Sequence, residues 1–201
     1  MLPVYSPQYT LPYLVTTEHL LPGREWYLSG NGIMFTERLR AATRAGGLWL
    51  VMQESDGKVA DQPGQLATHA AIRQIDWLSG PQIRVQLRLT QWGVIHPSSR
   101  RAGSLYLSAT VRPLWAAHLS LPDNHLLRQR FSQWQQEYAS PELSATAHLA
   151  SAAWLCWRWL ELLPLSVATK QRLLRHPSPA VCLRYLEKIM RQGDLCSNLL
   201  R

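Results

Sequence analysis

The stretch Leu160–Leu174, LELLPLSVATKQRLL, interrupts one helical pattern and starts another. Pro164 ends the first helix because its ring clashes with the preceding turn and because it has no N–H to donate. Leu163, directly before the proline, is pushed toward an extended conformation. Ser166 then offers a hydroxyl that can accept a backbone N–H and begin a second helix. The stretch therefore predicts a corner between two helices, with Leu163 and Leu165 packed inside it.

Helical spacing dominates the chain after residue 120. One helix is expected to be capped by Asp123 or Asn124, and a long helix to begin at Ser140 and continue through TAHLASAAWLCWRWLELL. A last helix, after the turn RHPSPAV, has Ser178 as its expected cap. The long helix carries apolar residues on nearly every side and only a narrow polar stripe, which predicts a buried helix at the centre of a bundle.

Short alternating segments occupy the chain before residue 120. In QIRVQLRLTQW the apolar residues fall on every second position, which is typical of a strand with one buried face. The run LATHAAIRQIDWL precedes it across the turn signal SGP, and SLYLSATVRPL and GLWLVMQ predict two further strands. One helix lies among them, with Thr36 as its expected N-cap and Gly46 and Gly47 at its end. This order predicts a small barrel-like sheet with one inserted helix.

The charge of the chain is positive but evenly spread. The net charge is +8, and a pI of about 9.9 permits contact with nucleic acid or with acidic partners. Residues 1–120 carry 11 basic and 7 acidic side chains and residues 121–201 carry 10 and 6, so each part contributes +4. Without a basic tail or a run of like charge, this pattern favours a solvated surface over a nucleic-acid site.

Cysteine usage and hydropathy indicate a protein of the cytoplasm. The three cysteines, Cys156, Cys182 and Cys196, form no C-x-x-C pair, so neither a disulfide framework nor a zinc site is expected. Reduced thiols are typical of the cytosol. The first residues, MLPVYSPQYT, lack the pattern of a signal peptide, and charged residues and a proline break the most apolar stretch, so no membrane contact is expected.

No catalytic motif stands out in the sequence. It contains no G-x-x-x-x-G-K-[ST] phosphate loop, no H-E-x-x-H pair and no G-x-S-x-G elbow. Lys170 belongs to a short amphipathic pattern, and nothing beside it suggests a nucleophile or a desolvated pocket. We therefore expect no catalytic residue, no metal ion, no cofactor and no enzymatic activity. A hydrolase with an unrecognised site is the remaining enzymatic alternative.

Segments in a fixed order carry a family resemblance. LPYLVTTEHLLPG places Pro12 and Pro22 ten residues apart, and MFTERLRAA starts a helix that includes Phe35 and Arg38. GQLATHAAIRQIDWLSGPQIRVQLRLTQWGVI holds the paired strands, VRPL follows, and LELLPLSVATKQRLLRHPSPAVCLRYLEKIM ends the pattern. Over nearly the whole chain these segments resemble the Lon protease N-terminal domain, which is a substrate-binding domain. Neither an ATPase nor a peptidase part follows, so we expect a stand-alone domain.

The resemblance implies a fold and a function. The fold is α+β: a PUA-like β pseudo-barrel with one inserted helix over residues 1–117, followed by a C-terminal α-helical bundle over residues 118–201. The function is non-enzymatic recognition of polypeptides, as an adapter or regulator of proteolysis. The implied ligands are unfolded or damaged polypeptide segments, and the implied partner is a protease or a chaperone.

Four aromatic residues are candidates for substrate binding. Trp26, Tyr27 and Phe35 lie on a segment that SGNG lengthens relative to the family, and they could line an apolar peptide groove. Packing in the core is the alternative for all three. Trp154 falls on the polar side of the central helix, so it either packs against another part of the molecule or is exposed to a partner.

Arg100 and Arg101 complete the candidate site. They lie in the polar loop IHPSSRRAGS and could contact phosphate or an acidic peptide, or could mark a solvated loop tip. The second functional hypothesis is an RNA-binding PUA-like module, because this architecture binds RNA in other families. Aromatic side chains set among arginines on one surface would favour that hypothesis.

Overall fold

The computed structural model describes residues 6–78, 81–97, 105–115, 119–138 and 148–192. The chain divides into two compact units, Met1–Leu114 and Trp115–Arg201, here called the sheet unit and the helical unit. The boundary predicted between residues 117 and 118 falls in a segment outside the described residues, and it stays a prediction.

The sheet unit is built on a mixed sheet that closes into a ring. Its strands are β1 (Gln8–Thr16), β2 (Arg24–Gly30), β3 (Leu48–Met52), β4 (Leu66–Trp77), β5 (Ile83–Ile95) and β6 (Tyr106–Arg112). They lie in the order β2-β5-β4-β3-β1-β6, and β5 also pairs with β6, so β2 lies outside the ring on β5. Strands β1 and β3 run parallel, whereas β4 and β5 form a long antiparallel hairpin. The predicted pseudo-barrel is confirmed.

Alternation along the strands creates two apolar layers. On β5 the side chains of Ile83, Val85, Leu87 and Leu89 are buried, as the period of two predicted. They belong to one core cluster, to which the inserted helix also contributes. The second cluster takes residues from all five ring strands and lies around Trp49 inside the barrel. Strand β3 is buried throughout because its alternate side chains enter both layers.

The inserted helix, α1 (Ile33–Ala45), begins three residues before the predicted cap. Thr36 is not the N-cap: it lies in the first turn, where its hydroxyl donates to the Gly32 carbonyl at 3.0 Å. Gly32 has φ of 84°, a conformation that favours glycine. The predicted end is confirmed, since Gly46 adopts the left-handed conformation. The early start was missed because Ile33 and Met34 are apolar yet exposed, which breaks the expected pattern.

The helical unit contains four described helices: α2 (Leu126–Tyr138), α3 (Ala152–Leu162), α4 (Val167–Leu174) and α5 (Ala180–Arg191). Residues 152–160 of α3 are all buried, and α3 contacts both α2 and α5. The prediction of a central buried helix is therefore confirmed. The Trp159 indole donates to the Leu127 carbonyl at 3.1 Å and lies edge-on to Phe131, which joins α3 to α2.

The corner between α3 and α4 has the predicted construction. Leu163 is extended, with φ of −74° and ψ of 137°, and is only 1% exposed. The Ser166 hydroxyl oxygen accepts the Thr169 N–H at 3.2 Å and so caps α4. Leu165 is half-buried, so the packing predicted for it is only partly reached.

Two predicted helix starts in the helical unit were wrong. Helix α2 begins at Leu126, and its first turn is capped by the His125 ring nitrogen Nδ1, which accepts the Leu127 N–H at 3.3 Å. Asp123 instead forms an ion pair with Arg128. Helix α5 begins after Pro179 without a side-chain cap, one residue later than predicted.

The long helix predicted from Ser140 is not continuous. Ser140 lies outside the described residues, but residues 148–151 are not α-helical, and Ser151 caps α3 by accepting the Trp154 N–H at 3.3 Å. The reason is a short β-bridge between Ser120 and Ser151. There the N–H groups of residues 121 and 152 donate to the carbonyls of residues 150 and 119, at 2.8 and 3.0 Å. These bonds hold the backbone extended where apolar spacing alone favoured a helix.

Candidate functional site

Exposed apolar side chains of the sheet unit lie where α1 begins and where β4 ends. Ile33 is 76% exposed and Trp77 is 69% exposed, and Met34 and Leu78 beside them are also exposed. Ile33 and Trp77 line one depression in the surface. Large exposed apolar side chains that lie together are typical of interaction sites.

A groove runs along α1 beside the end of the β4–β5 hairpin, and we call it the α1 groove. Its first part, the Leu39 subsite, has a volume of about 230 Å³ and is lined by Thr36, Leu39, Arg40, Thr43, Arg44, Ile75, Trp77 and Ile83. Its second part, the Ile33 subsite, has a volume of about 380 Å³ and is lined by Gly32, Ile33, Thr36, Glu37, Arg40, Trp77 and Pro81. Since Thr36, Arg40 and Trp77 line both subsites, the two parts form one groove.

The strand periodicity explains why Trp77 forms a wall of this groove. Trp77 and Ile75 are two residues apart on β4, so their side chains leave the same face of the strand. Ile75 packs against the core cluster that also contains Leu39 of α1. Trp77 pairs with Ile83 at the last described position of the hairpin, and its indole remains mostly exposed. The groove therefore has an apolar floor of core side chains and an exposed aromatic wall.

The rim of the groove carries charges of both signs, and they are unevenly distributed. Arg40 and Arg44 line the Leu39 subsite, and no acidic side chain lies among its described lining residues. Glu37 lines the Ile33 subsite, close to the start of α1. All three charged side chains belong to exposed residues. The groove is therefore basic toward the end of α1 and carries charges of both signs, Glu37 and Arg40, toward its beginning.

The predicted site residues of β2 and α1 lie away from the α1 groove. Trp26 and Phe35 are half-buried and pack against the core cluster beneath α1. The Arg24 guanidinium lies 3.9 Å from the centre of the Trp26 ring, and the Trp26 indole donates to Glu18. Tyr27 follows Trp26 on the strand, so it faces the opposite side. As binding residues, these aromatic side chains stay a prediction.

The other predicted site residues belong elsewhere in the chain. Trp154 is 6% exposed, and its ring packs edge-on against Phe131, with 5.6 Å between the ring centres. Of the two interpretations of Trp154, packing is therefore the one that its burial supports. Arg100 and Arg101 lie outside the described residues. Trp154 belongs to the helical unit, whereas Trp26, Tyr27 and Phe35 belong to the sheet unit.

Sequence reasoning missed the residues that form the α1 groove. Ile75 and Trp77 belong to the run LATHAAIRQIDWL, for which the sequence predicted a strand and nothing more. A usable signal was the position of Trp77 and Leu78 directly before the turn SGP, where no further strand residues can cover them. Arg40 and Arg44 are four residues apart on one helix, which places them on one face.

The part of the chain that the structure describes contains no group of three or more histidine, cysteine, aspartate or glutamate side chains that could hold a metal ion. Over the same ranges, none of the helices has both the length and the apolar character needed to cross a membrane.

Solved structures with a similar fold are N-terminal domains of Lon proteins. A Lon N-terminal domain protein from Xanthomonas campestris matches with a TM-score of 0.64 at 22% identity, over 90% of this chain and 98% of the other. The N-terminal domain of a Mycobacterium avium complex Lon protease matches with a TM-score of 0.57 at 17% identity, over 89% and 96% of the two chains. Neither the family models nor the curated proteins give a match to the sequence. The protein therefore has the fold of Lon N-terminal domains.

Proposed function

We propose that the protein binds exposed apolar segments of other polypeptides at the α1 groove and performs no catalysis. The observation that carries the proposal is the mostly exposed Trp77 beside an apolar floor that includes Leu39 and Ile83. Tryptophan is strongly enriched among the residues that dominate binding energy at protein interfaces. An apolar side chain of a ligand that covers this groove removes the apolar surface of the groove from water. Burial of apolar surface is the main driving force for association.

The shape of the groove favours a polypeptide segment. Its two connected parts have volumes of about 230 and 380 Å³ and lie along one helix, whereas a small-molecule site is usually a single concave pocket that encloses most of its ligand. The Ile33 subsite is larger but opens beside the exposed start of α1. A shallow groove of two connected parts suits successive side chains of an extended segment.

The fold adds support to this proposal. The similar solved structures are N-terminal domains of Lon proteins, and the resemblance in sequence implies a substrate-binding role without catalysis. We extend the proposal to unfolded or damaged polypeptides as ligands and to a protease or chaperone as the partner, with the protein acting as an adapter or regulator of proteolysis. We also place the protein in the cytoplasm, since Cys156 and Cys182 are buried free thiols, which are typical of reducing compartments.

The first test measures binding of a fluorescently labelled model protein kept unfolded by reduction and alkylation. Fluorescence anisotropy should show binding by the wild-type protein and at least about tenfold weaker binding by Trp77→Ala, as expected for an interface tryptophan. Tyr138→Ala is the matched control, because Tyr138 is also an exposed aromatic residue but lies at the end of α2. Equal binding by wild type and Trp77→Ala would show that the α1 groove is not the site.

RNA is the second candidate ligand, and a specific observation supports it. Arginine guanidinium groups lie over two aromatic rings: Arg24 over Trp26 at 3.9 Å and Arg84 over Tyr27 at 4.2 Å. Aromatic rings among arginines are common in surfaces that bind single strands. Trp26 and Tyr27 leave opposite faces of β2, however, so the two pairs do not form one continuous surface. The polypeptide proposal is therefore preferred.

Salt dependence separates the two ligands. Binding through n phosphates of a single strand falls with a log–log salt slope of about −0.7n. Binding of an apolar segment should weaken little between low and moderate salt, because burial of apolar surface is not screened. Tight RNA binding with a steep slope, together with no affinity for the unfolded protein, would reverse the preference.

A further inference from the structure

Resting on the proposed function, we infer that the α1 groove selects a short extended segment that carries a carboxylate at the Arg44 end of the groove. The apolar side chains of the segment occupy the Leu39 and Ile33 subsites. Its acidic side chain lies against Arg40 and Arg44.

The length of the groove sets the length of the segment. Its lining residues on α1 extend from Ile33 to Arg44. Eleven helical steps at a rise of 1.5 Å cover about 16 Å. An extended chain rises about 3.3 Å per residue, so about five residues span this distance. Two apolar side chains and one acidic side chain fit such a segment, with alternate residues pointing away from the groove.

The arginines of the groove are available to a ligand. Among the described residues, neither Arg40 nor Arg44 makes an ion pair or a side-chain hydrogen bond. Arg38 on the same helix is different, because its guanidinium donates to the Tyr13 carbonyl at 3.0 Å and so ties α1 to β1. Carboxylates are good partners for arginine, since the planar guanidinium can donate two parallel hydrogen bonds to one carboxyl group.

The uneven charge of the rim determines at which end of the groove the acidic side chain of the bound segment lies. Arg44 lines only the Leu39 subsite and Glu37 lines only the Ile33 subsite, whereas Arg40 lines both. An acidic side chain of the ligand is attracted at the arginine end and repelled near Glu37. Like-charge contacts of this kind contribute more to specificity than to total affinity.

The same distribution disfavours a nucleic-acid strand in this groove. A strand carries a phosphate at every nucleotide, so one lying along α1 would place a negative charge near Glu37 as well as near the arginines. The apolar floor of Leu39, Ile75 and Ile83 offers nothing to a phosphate. A polypeptide can instead combine uncharged apolar residues with one carboxylate.

The test uses three fluorescein-labelled peptides with blocked ends, whose core is Leu-Ser-Phe-Ser followed by Asp, Ser or Lys. Wild-type protein should bind the Asp peptide about two- to fivefold more tightly than the Lys peptide, as for a partly exposed charge pair. This preference should shrink at high salt. Because Arg40 remains, Arg44→Gln should weaken the preference and Arg44→Glu should abolish it. Arg88→Glu is the matched control, because Arg88 is exposed on β5 outside the groove.

The outcomes separate this inference from the proposed function. Equal binding of all three peptides, with loss of binding in Trp77→Ala, would overturn carboxylate selection and leave apolar binding standing. No binding of any peptide and none of the unfolded protein would overturn both. Displacement of the Asp peptide by an RNA oligonucleotide but not by unlabelled Asp peptide would also overturn both. Arg40→Glu gives a second, independent charge reversal. Thermal melts monitored by circular dichroism should match for wild type and the arginine variants, because Arg40 and Arg44 are exposed.

Discussion

Single residues make the barrel interior possible. Trp49 is buried at its centre, and a Cβ atom on Gly93 would lie 2.6 Å from the Trp49 ring. Glycine at position 93 is thus required by the close approach of the indole rather than by a turn. In the core cluster inside the barrel, the large Trp49 ring lies among small residues such as Ala67 and Ala109. Alternating large and small side chains in this way fills a small barrel without voids.

His69 links the stability of the sheet unit to pH. Its ring lies edge-on to Trp49, with 5.4 Å between ring centres, and Nδ1 lies 2.8 Å from the Thr90 hydroxyl oxygen. Burial lowers the pKa of His69 below its ordinary value of 6.5, because the charged imidazolium loses hydration. Just below pH 6.5, His69 therefore binds a proton in the unfolded chain but stays neutral in the folded protein. The contribution of neutral His69 to the free energy of unfolding is therefore complete above pH 6.5. It is lost as the pH falls through the lowered pKa that His69 has in the folded protein.

We predict that His69→Gln reduces the loss of stability on acidification. Urea denaturation at pH 7.5 and pH 5.5 should show a larger decrease in the free energy of unfolding for wild type than for the variant. His148→Gln is the control, because His148 is exposed, and it should behave as wild type. A pH dependence that is identical in wild type and His69→Gln would contradict the role given to this side chain.

Among the elements, the corner between α3 and α4 is defined both by local sequence signals and by tertiary packing. Proline ends α3, the Ser166 hydroxyl caps α4, and Leu163 between them is buried. The local signals and the tertiary contacts agree here, which is why the sequence predicted this corner correctly. The start of α3 is the opposite case, since a β-bridge at Ser151 overrides the helical pattern that precedes it.

Substitutions in the corner should differ in a defined order. Leu163→Ala should destabilise the protein by roughly 2–5 kcal/mol because it leaves a cavity. Ser166→Ala removes a cap and should cost about 1 kcal/mol. Pro164→Ala should be mild, since the cap and the packing already define the turn. Leu165→Ala is the matched control for Leu163: it is the same change at a half-buried position, so its effect should be smaller.

Chemical denaturation of the four variants measures these differences. A Leu163→Ala protein as stable as wild type would mean that the corner is not buried, and it would remove the strongest local argument for the bundle.

For the whole molecule, the proposed function is binding without turnover. We predict that the purified protein hydrolyses neither ATP nor peptides. The physical reason is that the sequence has no phosphate-binding glycine loop and no recognised pairing of a nucleophile with a base. Release of phosphate from ATP and of fluorophore from a quenched casein substrate measure the two activities. Turnover of either substrate above a heat-killed control would contradict the proposal.

Local patterns in the sequence were sufficient for much of the fold. Alternation predicted β5, and the unbroken apolar run predicted the buried strand β3. The Pro164–Ser166 corner and the glycine end of α1 followed from backbone chemistry that acts between neighbouring residues. These predictions were correct because burial and capping require particular residue types at fixed spacings along the chain.

The candidate site was decided by the tertiary structure. The α1 groove brings the last residues of β4 beside a helix that precedes them by more than thirty positions, as the separation of Trp77 from Arg44 shows. Nothing in the local pattern distinguishes an exposed Trp77 from a buried one, because exposure depends on what the rest of the chain leaves uncovered. The sequence by itself determined the alternation of β5, the glycine end of α1 and the corner between α3 and α4, because these depend on neighbouring residues. Only tertiary packing decided where α3 begins and which apolar side chains remain in contact with water.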